Sequence, residues 1–165
     1  MNNTFYKHFQ CKVQLVWEKK KREFYVINQP SHVYTLVKDE LIKKDREIFL
    51  SILLTARNAV IGIEEISMGT MDCCIVTPRE LFKSALLANA FALILCHNHP
   101  SGDMKPSEED IKITERIVDA GRLLNIEVLD HLIISEKGFI SLKEMNRLTA
   151  SGRSILSTFS YNRKM

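Results

Sequence analysis

The sequence predicts an α/β domain, a mixed β-sheet flanked by helices, on three observations. Apolar, β-branched stretches of strand length alternate with segments of helical periodicity, in the order strand–strand–helix–strand–helix–strand. Two of the helical segments open on capping signatures, Thr77-Pro78-Arg79-Glu80 and Ser107-Glu108-Glu109-Asp110. One strand, Phe91–Cys96, is apolar without interruption, the pattern of a strand covered on both faces. The 165 residues, 45% apolar and 26% charged, suffice for one domain with a core and not comfortably for two.

Residues 11–28 hold two short stretches of strand character, Cys11–Val16 and Phe24–Ile27, on either side of the basic run Lys19-Lys20-Lys21-Arg22; they read as a hairpin with a charged turn. Ser31 then opens a helix to about Lys44, with Val33, Leu36, Val37 and Leu41 at helical spacing. Ile48–Leu54 and Val60–Met68 form a strand pair that turns at Arg57-Asn58. A helix runs from Pro78 to about Asn89, with proline at the first helical position, where its missing N–H is not needed. Phe91–Cys96 follows as the buried strand. The second capping box starts a helix that should turn Ile111, Thr114, Ile117, Val118 and Leu124 inward. Val128–Ile134 is another buried strand, Phe139–Leu142 a short one, and the last fifteen residues read as a loose tail. The expected organisation is an N-terminal extension (1–46), one domain (47–146) and a C-terminal tail (147–165).

Charge and composition exclude several classes. A net charge of +3 gives no push toward nucleic acid or an anionic membrane. No apolar run approaches the 18 or so residues of a membrane span, and Met1–Gln10 lacks the apolar core of a secretory signal. Cys11, Cys73, Cys74 and Cys96 make no C-x-x-C pair, so a reduced, cytoplasmic chain with thiols acting as small apolar groups is expected.

The segment that carries chemistry is His97-Asn98-His99-Pro100-Ser101-Gly102-Asp103-Met104-Lys105-Pro106-Ser107-Glu108-Glu109-Asp110. His97 and His99 stand two apart at a strand end, so both rings point to one side, with Cα atoms about 6.5 Å apart. Two imidazoles can close that span around one ion at about 2.0–2.1 Å each. Gly102 and Pro106 turn the chain back, and Asp110 sits in the first turn of the next helix, where the dipole favours a carboxylate. Two histidines and one carboxylate leave a fourth tetrahedral position open, which marks a catalytic rather than a structural zinc site. Taken singly, a strand-end histidine is ordinary surface and Ser-x-x-Asp an ordinary cap; together they are a constellation.

The string H-x-H-P, a short loop, then S-x-x-D resembles the signature of the JAMM (MPN+) metallopeptidases, with His97, His99, Ser107 and Asp110 fitting it without a gap. The longer string HNHPSGD, followed by ITERIVDAGRLLNIEVLDHLII, is similar to the RadC branch of that family, and the resemblance runs from about Glu47 to Glu144. It implies a JAMM fold similar to that of the cytidine deaminases. It also implies zinc held by His97, His99 and Asp110 with water as fourth ligand, a glutamate early in the sheet as general base and acid, and Ser107 holding the oxyanion or the water. The implied reaction is hydrolysis of an amide or isopeptide bond in an unidentified peptide or protein substrate. Glu47, ahead of the apolar run Ile48-Phe49-Leu50, matches the family's place for the base; Glu64 and Glu65 are its rivals. Asp130-His131, in a buried strand, is either a pair that orients a ligand from behind or a hydrogen-bonded core feature. Cys96 neighbours His97 and so points to the opposite face, as a packing residue.

The long RadC form carries a helix-hairpin-helix DNA-binding element ahead of the metal domain. Residues 1–46 show no such glycine hairpin, and the chain resembles the short variants associated with mobile genetic elements. The alternative reading is a DNA-associated repair accessory or metal nuclease, supported by Lys19–Arg22 alone, because the literal tripeptide HNH does not make an HNH nuclease. Weak, salt-sensitive DNA binding at most is expected. A zinc deaminase is excluded by the lack of H-x-E and P-C-x-x-C, and an H-E-x-x-H peptidase likewise. A non-catalytic module with this fold would be expected to have lost a metal ligand, and none is lost.

Overall fold

The computed structural model describes residues 25–68 and 76–148. The expected strand Cys11–Val16, the basic run Lys19–Arg22, Cys73, Cys74 and the tail beyond residue 148 lie outside the described residues. Among the described residues eight elements follow one another: α1 (Pro30–Leu41), β1 (Ile48–Leu54), β2 (Val60–Met68), α2 (Pro78–Leu87), β3 (Ala92–Asn98), α3 (Glu108–Leu124), β4 (Glu127–Ser135) and β5 (Gly138–Ser141). The strands form one mixed sheet in the order β2-β1-β3-β4-β5, and the α/β architecture expected from the strand and helix order is the one observed. Of the second expected hairpin strand, Val26 makes an isolated antiparallel bridge to Ala59. Among the described residues, no helix is long and apolar enough to cross a membrane.

Alternation along β1 and β3 divides the core in two. Leu50, Ile52, Leu54, Ile94 and Cys96 face Val33, Val37 and Leu41 of α1. Phe49, Leu53, Leu93 and Leu95 face Leu81, Phe82 and Ala85 of α2 and Ile117 and Val118 of α3. Every residue of β1 and β3 is buried, and each buried leucine or isoleucine contributes about 1.5–3 kcal/mol relative to exposure.

Three local details depart from expectation. The first helix begins at Pro30 rather than Ser31, because proline at the first position needs no N–H partner, and it ends at Leu41, short of Lys44, as the chain turns polar. The third strand runs two residues further than expected, to Asn98, which takes His97 into the sheet. In α3 the buried residues are Asp110, Thr114, Ile117, Val118 and Gly121, while Ile111 is half-buried and Leu124 is 40% exposed. The inward place in the last turn belongs to Gly121: a Cβ there would stand 2.5 Å from the Ile126 carbonyl oxygen, so the missing side chain lets the chain return directly into β4. Asn125, at φ 55°, makes that return in the left-handed conformation that asparagine tolerates.

Register decides what meets at the metal end. β1 is antiparallel to β3, with Phe49 opposite His97, and β4 is parallel to β3, with Ile133 opposite His97. The start of β1 and the ends of β3 and β4 therefore share one end of the sheet. The loop 99–107 brings the first turn of α3 back to it.

Candidate metal centre

Glu47, His97, His99 and Asp110 each offer one ligand atom, and these atoms lie within 4.8 Å of one another. His97 is the next-to-last residue of β3 and is fully buried, with Phe49 stacked on its ring at a centroid distance of 5.8 Å and an interplanar angle of 6°. His99 lies just past the strand. Its Nε2 is 2.9 Å from His97 Nε2 and 3.5 Å from Asp110 Oδ2, while Asp110 Oδ1 is 3.2 Å from His97 Nε2. Glu47 Oε1 stands 3.9 Å from His97 Nε2, and its side chain, 29% exposed, is the most open of the four.

Each group is held by its own local structure. His99 Nδ1 is 2.7 Å from the Asp103 carbonyl, which can only accept, so the ring donates there and a neutral His99 turns its Nε2 lone pair inward. Asp110 is the third residue of a complete capping box: its N–H reaches Ser107 Oγ at 3.1 Å, and Ser107 N–H reaches its Oδ2 at 2.8 Å. Ser107 Oγ also lies 2.7 Å from Oδ2, so the serine places the carboxylate directly. Glu47 is positioned by Asn98, whose Oδ1 accepts from Ile48 N–H at 2.8 Å and whose Nδ2 donates to the Arg46 carbonyl at 2.9 Å. That amide clamps the backbone on both sides of Glu47. Sequence reasoning passed over Asn98; the available signal was its place between the two histidines.

Charge follows geometry. Burial pushes Asp110 up, but the imidazoles of His97 and His99 and the Ser107 hydroxyl beside it favour its anion, outweigh the burial and hold the carboxyl well below the usual range. His99 is raised, first by the Asp110 carboxylate, to which its Nε2 donates once the ring is protonated. Behind the four lies His131, fully buried and pushed well below its ordinary value by that burial. Its Nε2 is 2.8 Å from His97 Nδ1, and its Nδ1 is 2.6 Å from Thr114 Oγ1.

The pair Asp130-His131 is split. Asp130 accepts from Ser141 Oγ at 2.6 Å, His131 N–H at 2.7 Å and Lys143 N–H at 3.1 Å, and so ties β5 and the following turn to β4. Cys96 packs in the α1 core, its thiol raised by burial. Glu64 and Glu65 are outside the four-residue group. Glu64 faces α2, hydrogen-bonded to the Ser84 hydroxyl and near Lys83, and burial raises its carboxyl; Glu65 is exposed.

An open cleft of about 550 Å³ is lined by Met104, Lys105, Pro106, Lys137, Ile140 and Met145 and by Asp103, whose carbonyl accepts from His99. Ile140 pairs with Ile133, which pairs with His97, so this lining residue lies two strands from His97 in the same row.

A family profile described as the RadC-like JAB domain matches residues 27–148, which takes in α1 as well as the sheet. A UPF0758 protein of Moorella thermoacetica is 50% identical over 123 residues, covering 74% of this chain and 54% of the relative. Relatives of the same name from Methanosarcina mazei and Protochlamydia amoebophila are 42% and 45% identical over 77% and 75% of the chain, each covered to 54%. The chain thus spans about half the length of the curated relatives it matches. On that match, and with the four groups gathered at one end of the sheet, this chain belongs to the RadC-like JAB domain family.

Proposed function

We propose that the chain is a zinc-dependent hydrolase of the JAMM class that cleaves an amide or isopeptide bond in a peptide or protein. The observation that carries this reading is the convergence of Glu47, His97, His99 and Asp110 on one point. The donor set fits zinc: two imidazole nitrogens and a carboxylate, with a second carboxylate at the open side. Ligands placed tetrahedrally at about 2.0–2.1 Å from zinc stand roughly 3.3 Å from one another. The separations here, 2.9, 3.2 and 3.5 Å, bracket that value.

His97, His99 and Asp110 would hold the ion. Zinc bound there supplies Lewis acidity, which lowers the pKa of water from 15.7 to about 7. Glu47, on the open side, takes the proton of the attacking water and returns it to the leaving nitrogen. Ser107 holds Asp110 in place and, by turning its hydroxyl from Oδ2, steadies the water or the oxyanion. Phe49 and His131 close the back of the site against solvent. The substrate flank lies in the adjacent cleft, where Lys105 and Lys137 meet acidic groups and Met104, Ile140 and Met145 take an apolar one. A cytoplasmic setting belongs to this reading, since Cys96 is a free buried thiol. So does weak DNA binding at most.

The test is metal analysis combined with a cleavage screen. Purified protein should carry about one zinc per chain, and His97→Ala/His99→Ala none; full occupancy of the double variant would remove the reading. Against a proteome-derived peptide library read by mass spectrometry, cuts made by the wild type and lost in Glu47→Gln support hydrolysis. Identical patterns from both proteins would assign the cleavage to something else.

A further inference from the structure

To accept a metal, His97 must carry its proton on Nδ1 and leave Nε2 bare. The donors and acceptors behind it determine which nitrogen that is. The Asp110 carbonyl, in the first turn of α3, can only accept. Thr114 Oγ1, one turn later, lies 2.5 Å from it and gives it the single hydroxyl proton, the usual back-bond of a helical threonine. The hydroxyl oxygen can then only accept, so the 2.6 Å contact with His131 Nδ1 is an N–H of the ring donating to it. A neutral imidazole has one proton. His131 Nε2 is therefore an acceptor, and the 2.8 Å contact with His97 Nδ1 is filled by a proton on His97. Thr114, His131 and His97 are all fully buried, so bulk water does not compete for these contacts.

Resting on the metal reading above, we propose that Thr114 and His131 are positioning residues that set the tautomer of His97 and so ready its Nε2 for the ion. The chain begins and ends on one residue: the Asp110 carbonyl orients the relay, and the Asp110 carboxylate faces the nitrogen that the relay leaves bare. Were Thr114 to give its proton to His131 instead, the relay would run backwards and His97 would present an N–H to the site. The Thr114→Val variant keeps the shape and removes the orienting oxygen. Thr114→Ser keeps the oxygen.

The experiment uses the full 165-residue chain. Zinc affinity is measured by competition with a chromophoric chelator, on variants whose folding is checked by circular dichroism. The His97 tautomer is read by nitrogen-15 NMR on metal-free protein. We expect Thr114→Val and His131→Gln to bind zinc about 10–100-fold more weakly, as for other partners of metal-bound histidines. Thr114→Ser should recover most of the affinity, and wild-type His97 should be the Nδ1–H form. Zinc affinities unchanged in both variants, or an Nε2–H His97 in the wild type, would overturn the proposal. Should a variant not fold, the wild-type tautomer still decides. Failure of the wild type to bind any divalent ion would sink the metal reading itself, whereas the tautomer measurement bears on the relay alone.

Discussion

The two faces of the central strands bury polar groups in opposite ways. On the α1 side, Asn98 and Asp130 spend their hydrogen bonds mainly on backbone groups: Asn98 on Ile48 and Arg46, and Asp130 on His131 and Lys143 with one serine besides. Each is satisfied where it stands and ties two pieces of chain together. On the other side, Thr114, His131 and His97 join side chain to side chain, and His97 and His99 turn toward one open point beside two carboxylates. Burial of polar residues is common to both faces. What distinguishes a site is convergence: several groups whose unspent lone pairs face one another, an arrangement that costs free energy until a cation or protons relieve it.

That contrast can be broken by substitution. The largest effect belongs to the converging face: Asp110→Ala should abolish stoichiometric zinc, and Glu47→Gln should keep zinc while losing about 10²–10⁴-fold in hydrolysis. Elemental analysis and initial rates on a substrate from the library screen check both. Next comes Ile94→Ala on the α1 side, expected to cost about 2–5 kcal/mol in denaturant unfolding while zinc stoichiometry stays at one. A folded Ile94→Ala protein without zinc would show that the faces are not independent. Asp130→Ala is expected to cost about 1–3 kcal/mol by stranding buried donors, again with zinc retained.

A smaller effect is pH-dependent and opposite in sign for two histidines of the same face. Burial holds His131 well below its ordinary value near 6.5, so the unfolded chain takes a proton that the native state refuses. Its neutral form is fully accommodated above about pH 6.5, and stability falls as pH drops beneath that. His99 is raised, first by Asp110, so its contribution is full below about pH 6.5 and is lost as pH climbs through the raised value. In metal-free protein, melting temperatures between about pH 5 and pH 8 should show a flatter acid side for His131→Gln and a flatter alkaline side for His99→Gln. Profiles parallel to wild type would contradict these signs.

The sheet, the helices and the convergence of His97, His99 and Asp110 could be read ahead because each rests on short-range pattern: alternation, capping boxes, and two histidines separated by one residue. Whether Glu47 could join them depended on strand direction. It could serve only if β1 ran antiparallel to β3 or slipped in register, and the antiparallel pairing with Phe49 opposite His97 meets that condition. The catalytic role itself waits on Glu47→Gln. The relay through Thr114 and His131 was not legible, because those residues lie seventeen apart and meet only when α3 packs across β4. Leu124 misled for a related reason. Its phase on the helix is inward, but the chain leaves α3 at Asn125 and the last turn carries it into solvent.

Gly121 adds a consequence for how the centre is calibrated. Asp110 begins a rod whose far end is pressed against the Ile126 carbonyl with no side chain between them. The eleven steps from Asp110 to Gly121 rise about 16 Å along the helix, and such a rod does not absorb a displacement locally. A single methyl group at Gly121 would lift the helix at one end and tilt the carboxylate at the other. The tolerance of the ligand geometry is thus set, some three turns away, by an atom that is not there.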